Sequence, residues 1–276
     1  MPTTSAFPIR TLREHVTELE AALTLCLADP GVRPVHRLRT MTRRIEGQLA
    51  LLDLLAGVPS HDKLARKARR VLKKLRRAAG TVRDIDVQID LIKEALPEES
   101  SRALQKDADT LSEALREDRE GFARKLLRTL SKNQSELSLV LEALLDKLKP
   151  SEDLALSSTQ LASLAQEWFK NNTVPEPKHK EEADDHLHDI RKMAKLARYI
   201  AENAPKTARL PRRVAQSFED LQQSGGHWHD WMVLADLSAE ELGSSSPLTK
   251  LFARRSKVAL STYRRHLRPL VRESSS

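Results

Sequence analysis

Along nearly the whole chain apolar residues recur at every third or fourth position, and the β-branched runs that build strands are sparse. This pattern predicts an all-α fold, with helices near residues 10–28, 35–56, 61–79, 82–95, 100–130, 135–149, 158–170, 184–204, 208–224, 228–242 and 247–272. Pro30 and Pro34, Pro59, Pro97, Pro150, Pro175 and Pro177, Pro205 and Pro211, and Pro247 punctuate them. Gly80 and Gly226 read as helix ends, where a left-handed residue is often needed. Thr81 and Asp84 then have capping-box spacing, which assigns Asp84, and by alignment Asp230, to capping the next helix.

The chain also repeats itself. VHRLRTMTRRIE at 35–46 aligns with LHDIRKMAKLAR at 187–198, setting His36 on His188, Arg39 on Arg191, Met41 on Met193 and Arg43 on Lys195. In the next helix Leu64 pairs with Leu210, Ala68 with Val214, Leu72 with Phe218, Leu75 with Leu221, Gly80 with Gly226 and Asp84 with Asp230. A tandem duplication of this kind predicts two antiparallel helical bundles related by an approximate twofold axis. The expected division is one domain over 1–276, with an N-terminal helical half at 9–150, a connecting helix and linker at 151–183 and a C-terminal helical half at 184–272. Within the connection, NNTVPEPKHKEEA at 171–183 reads as linker.

Charge changes the picture more than length does. Over 276 residues, 47 Lys and Arg stand against 39 Asp and Glu, and 39% of the chain is hydrophobic, too much for a disordered basic tail. The excess is local: residues 33–86 carry 15 basic and 5 acidic side chains and 191–276 carry 16 and 8, whereas 87–190 carry 14 and 22. Two basic blocks separated by an acidic one imply a polyanionic partner that meets part of the surface. The single cysteine, Cys26, excludes an intrachain disulfide and a multi-cysteine zinc site and fits a reducing cytosol. No apolar window is long enough to span a membrane, and MPTTSAFPIR has no apolar stretch of signal-peptide length, so a cytoplasmic protein is expected.

The basic residues fall into rows. On a helix, His36, Arg39 and Arg43 lie within an arc of about 60°, away from Leu38, Ile45, Leu49 and Leu52. His188, Arg191 and Lys195 repeat the row, with Arg198 at its edge. Arg66, Arg70, Lys73 and Arg77 form a second row opposite Leu64, Ala68, Val71, Leu72 and Leu75, and no acid occurs between Lys63 and Arg77. In the last helix Lys250, Arg254, Lys257, Arg264, Arg265, Arg268 and Arg272 share a face opposite Phe252, Ala259 and Tyr263, with a bend expected at Pro269. A row of cations can be merely a solvated face. Against that, cations stacked one turn apart repel one another, and helix surfaces ordinarily intersperse acids to relieve this.

Two H-x-H-D strings, His186–Asp189 and His227–Asp230, invite comparison with metal-dependent phosphohydrolases. Histidines at i and i+2 of a helix point about 200° apart, so neither string is expected to chelate a metal. No P-loop, nucleophile elbow or glycine-rich nucleotide fingerprint is present, and no cofactor is expected.

With H-x-x-R-x-x-x-R-R at 36–44, G-x-x-R-D-x-D-V at 80–87, L-H-x-x-R-x-x-x-K-x-x-R-Y at 187–199 and G-x-x-x-D at 226–230, the chain resembles the CHAD family, the conserved histidine α-helical domain. The resemblance implies two pseudo-symmetric helical bundles, non-catalytic binding of inorganic polyphosphate to a basic surface around their junction, and an association with polyphosphate granules. It carries over His36, Arg39, Arg43, Arg44, Arg83, His188, Arg191, Lys195 and Arg198 as binding residues, and the basic rows add Arg66, Arg70, Lys73, Arg77, Arg254, Lys257 and Arg265. His229 stands where the first half has Arg83, and Gln216, Glu219 and Asp220 stand where it has Arg70, Lys73 and Lys74, so unequal halves are expected. Whether His36 and His188 bind ligand or fix a bundle junction stays open. The alternative partner is nucleic acid bound nonspecifically, which the same cations would attract. The chain has only ten aromatic residues, and the rows carry almost none that could stack on or read bases.

Overall fold

The computed structural model describes residues 5–96, 100–173, 183–205 and 207–274, with the backbone alone for Ala183 and residues 268–274. The breaks at Pro97, Pro175 and Pro177 and most of the linker at 171–183 lie outside the described residues, as do the side chains of Arg268 and Arg272, while the helical backbone continues past Pro269 to Ser274. The described chain is all-α. Its helices are α1 (Pro8–Ala28), α2 (Val32–Leu52), α3 (Asp62–Ala95), α4 (Arg102–Leu148), α5 (Ser158–Asn172), α6 (Ala183–Ala201), α7 (Arg209–Leu242) and α8 (Pro247–Ser274). Two dipeptide strands, β1 (Ser5–Ala6) and β2 (Leu156–Ser157), pair antiparallel with Ser5 opposite Ser157. Strands this short leave no alternation in the sequence to read.

Three expected breaks are absent. Gly80 and Gly226 lie inside α3 and α7, and residues 131–134 lie inside α4. Gly80 and Gly226 therefore end no helix, Thr81 and Asp84 form no capping box, and neither Asp84 nor Asp230 is an N-cap. A single interior glycine costs a helix about 1 kcal/mol, which packing along a long helix outweighs. Positive φ is confined among the described residues to Gly57 (78°) and Gly243 (85°), which stand in the turns after α2 and α7. A genuine cap does occur at α5, where the Ser157 hydroxyl accepts from the Gln160 backbone N–H and the Gln160 side chain accepts from the Ser157 N–H.

Two compact units make up the chain. The first comprises Met1–Gly80, Ala123–Val174 and Lys192–Glu219, and the second Thr81–Phe122, Pro175–Arg191 and Asp220–Ser276. Each draws segments from both sequence halves, so neither unit is a half. In the first unit, Ile9, Leu12, Leu19, Leu38, Ile45, Leu49, Leu52 and Leu72 are almost fully buried, and the Phe169 and Phe218 rings meet at 4.9 Å. The buried Gln48 side chain donates to the Pro8 carbonyl and ties α2 to the start of α1. In the second unit, Trp231 packs on Phe252 and Trp228 stacks on Tyr263, while the Tyr263 hydroxyl donates to the Leu187 carbonyl at 2.7 Å. No helix among the described residues is long and apolar enough to cross a membrane.

Candidate anion-binding surfaces

In the first unit α2 and the first part of α3 form an antiparallel hairpin. Arg69 donates to Asp53, Arg76 donates to Glu46 at 2.7 Å, and Arg39 lies beside Gly80. These pairings run in opposite directions along the two helices and fix their register. A Cβ at Gly80 would sit 3.7 Å from Arg39 Nε, an ordinary contact, so space does not demand the glycine. Its effect is to leave the arginine side chain against bare backbone.

The pattern of burial follows the sequence rows. On α3, Ala68, Val71, Leu72 and Leu75 are buried and Leu64 is half-buried, whereas Arg66, Arg70, Lys73 and Arg77 are exposed. Arg66, Arg70 and Lys73 have no ion pair among the described residues. Their flanking neighbours differ: Lys67 lies 3.9 Å from Glu136 and Lys74 reaches Asn133 at 3.5 Å, both on α4. The free cations thus form one line and the partnered ones its border. A cleft of about 490 Å³ opens at the Arg66 end, but Asp53 and Asp62 in its wall balance Arg66 and Arg69.

On α2, His36 is exposed, and Arg39, Arg43 and Arg44 are half-buried. Burial, with Arg76 and Arg39 adding to it, pulls the Arg43 guanidinium down to about 10. It remains cationic at neutral pH, so three arginines crowd together with Glu46 as the nearby carboxylate, 3.9 Å from Arg43. Bringing an anion to such a cluster relieves repulsion as well as adding attraction. Arg44 has no ion pair among the described residues and contributes to the depression of half-buried His15, which falls to about 4.

The α6 portion of this unit contains Lys195 and Arg198. Tyr199 packs so closely on α2 that a Cβ at Gly47 would lie 2.5 Å from its own Cβ. Arg198 is engaged twice, with Nε 2.8 Å from Glu202 and Nη1 donating to Glu219 at 3.0 Å. Glu219 occupies the α7 position aligned with Lys73 of α3. The acid that replaces a ridge cation therefore also neutralises a neighbouring arginine.

In the second unit α6 and α7 bring His188 against His229, with ring centroids 4.7 Å apart, and Arg191 against Gly226, where a Cβ would lie 3.6 Å from Nη1. Burial raises the Tyr263 phenol above its ordinary range, with Arg191 opposing that rise. His227, in the second H-x-H-D string, accepts from the Trp231 indole N–H at 3.0 Å. Arg83 is half-buried, whereas Arg254, Lys257 and Arg265 are exposed on α8; all four lack an ion pair among the described residues.

Sequence reasoning marked Glu219 as an acid in place of a row cation, but it missed Arg76 and Glu202 and the pairing of Glu46 and Glu219 with arginines. The Arg198–Glu202 pair has i,i+4 spacing and was legible in principle. The Arg76–Glu46 and Arg198–Glu219 pairs cross between helices, and only the hairpin register reveals them.

These are the features of an all-helical protein with rows of unneutralised cations held on rigid helices. The CHAD domain matches residues 10–239, and the chain belongs to the CHAD family. Among solved structures it is similar to PptA from Streptomyces chartreusis, with a TM-score of 0.64 at 16% identity, covering 95% of this chain and 98% of that one. It is also similar to the CHAD domain from the plant Ricinus communis, with a TM-score of 0.60 at 16% identity, covering 95% and 88%. At such identity these likenesses speak for the fold. No curated protein matches the chain.

Proposed function

We propose that this protein binds inorganic polyphosphate without chemically altering it, and that the principal track in the first unit is the α2–α3 face. The observation that carries this reading is the line of Arg66, Arg70 and Lys73, exposed and without an ion pair among the described residues, beside the crowded Arg39, Arg43 and Arg76. Polyphosphate is a flexible row of anionic groups with no bases to read. A rigid row of cations suits it: arginine offers forked donors to phosphate oxygens, and lysine offers point charges. Membership of the CHAD family supports the same ligand.

In the other unit His188, Arg191 and Arg83 with the α8 row supply a second set of cations. The contact of Arg39 with Gly80 recurs as that of Arg191 with Gly226, at the aligned positions, which supports descent of the two halves from one repeat.

The test is a competition titration of long-chain polyphosphate against duplex DNA of equal phosphate content at two salt concentrations. Polyphosphate should win. With six to eight cations engaged, the log–log salt slope should be about −4 to −6, by analogy with single strands. Equal or stronger DNA binding at physiological salt would replace this reading with nonspecific nucleic-acid binding.

A further inference from the structure

Within the first unit the two arginine clusters differ in their acids. On α2–α3, Glu46 is shared between Arg76 at 2.7 Å and Arg43 at 3.9 Å, and the nearby row of α3 has no acid. On α6–α7 the balance is reversed: a single guanidinium, Arg198, is met by Glu202 on its Nε edge and by Glu219 on Nη1. These are the donors that a phosphate would take. We propose that Glu202 and Glu219 are built-in competitors of the ligand, occupying Arg198 in place of phosphate oxygens and confining the polyanion to the α2–α3 face of this unit. The proposal rests on the polyphosphate reading above.

Three further observations favour it. Two carboxylates meet the one guanidinium of Arg198, and one of them, Glu219, stands at the α7 position where α3 has the exposed cation Lys73. Glu202 also acts on Arg44 of α2, so it weakens a second cation that has no ion pair of its own. Burial raises the Glu202 carboxyl above its ordinary range despite Arg198 and Arg44. A carboxylate whose charge is opposed by its surroundings is poorly explained as a stabilising staple, since the desolvation of partly buried ion pairs offsets much of their attraction. Competition with an incoming anion gives it a role.

The experiment measures affinity for long-chain polyphosphate, and its salt slope, for the wild-type protein, for E202Q/E219Q and for the control pair E113Q/E117Q. Glu113 and Glu117 are exposed on α4 in the other unit and have no ion pair among the described residues, and their replacement changes net charge by the same amount. Glutamine retains an oxygen that can accept from Arg198. If Arg198 alone is released, affinity at 0.1 M salt should rise about 5-fold, and about 25-fold if Arg44 joins it, with the slope steeper by about 0.7 per cation. The control pair should change affinity less than about twofold, because exposed charges without an ion pair act on a ligand only through a field that salt screens.

Wild-type binding with no greater gain in E202Q/E219Q than in the control overturns the proposal and leaves the polyphosphate reading intact. Failure of the wild-type protein to bind overturns both. Circular dichroism establishes folding; if the double variant is unfolded, E219Q alone still detaches one acid from Arg198, and absence of any gain there is equally fatal.

Discussion

Replacing Arg70 and Lys73 together by glutamine tests the α3 row directly. Both side chains are exposed, and neither has an ion pair among the described residues, so their removal leaves no buried charge behind and should not disturb the fold. Each cation that engages a flexible polyanion contributes a salt slope of about −0.7, so two lost cations should flatten the slope by about 1.4. At 0.1 M salt the same relation amounts to about 1.4 decades, or roughly a 25-fold loss of affinity. The control is R212Q/R213Q on α7, which removes the same net charge from two exposed positions on the helix aligned with α3. Those residues should matter only through the screened field of the whole molecule, a change below about threefold. A third variant, R69Q, lies on α3 itself but removes a side chain already paired with Asp53, and it too should lose little. Titration calorimetry at two salt concentrations reads all three. Similar losses from the two double variants would refute the argument that unpaired cations on α3 form the track, and would leave only bulk charge as the attraction.

Two further predictions concern stability. Burial, assisted by Arg44 and opposed by Glu18, pulls His15 down to about 4. In the unfolded chain the same ring protonates near 6.5, so stability should fall as pH drops from about 6.5 to about 4, with about 2 kcal/mol lost by pH 5. His15→Gln should remove most of this slope in denaturant titrations at pH 7 and 5, and an unchanged slope would assign the acid sensitivity to other groups. Two glycines should respond with opposite signs. Gly47→Ala forces a Cβ to 2.5 Å from the Tyr199 Cβ and should cost about 1–3 kcal/mol, whereas Gly121→Ala, inside α4 with nothing within 4 Å, should gain about 0.5–1 kcal/mol. Denaturation midpoints of the two variants read those signs.

The helices and their buried faces were legible in the sequence because amphipathic periodicity records which side of a helix meets a core. Ala68, Val71, Leu72 and Leu75 lie inside, and Arg66, Arg70, Lys73 and Arg77 outside, as their spacing requires. Continuity was harder to read. Gly80 and Gly226 are the signals of a helix end, yet an interior glycine is tolerated where the helix is long and packed along its length. Residues 131–134 contain no breaker, and the buried Asn133 turns its amide back to the Thr129 carbonyl within α4. The cations themselves were visible, but their availability was not. Whether Arg66 is free while Arg69 and Arg198 are engaged depends on which carboxylate a neighbouring helix brings opposite each one, and that follows from register between helices.

The placement of the indoles has a practical outcome. Of three tryptophans, Trp228 and Trp231 are buried in the second unit, one stacked on Tyr263 and the other bonded to His227, while the half-buried Trp168 of α5 stands in the first. Intrinsic fluorescence is therefore an unequal optical gauge of the molecule. Quenching by an aqueous solute such as iodide should select Trp168, and the emission that survives should report the interior of the second unit. The protein thus carries its own two-channel label, and events in its two units can be followed without attaching a dye.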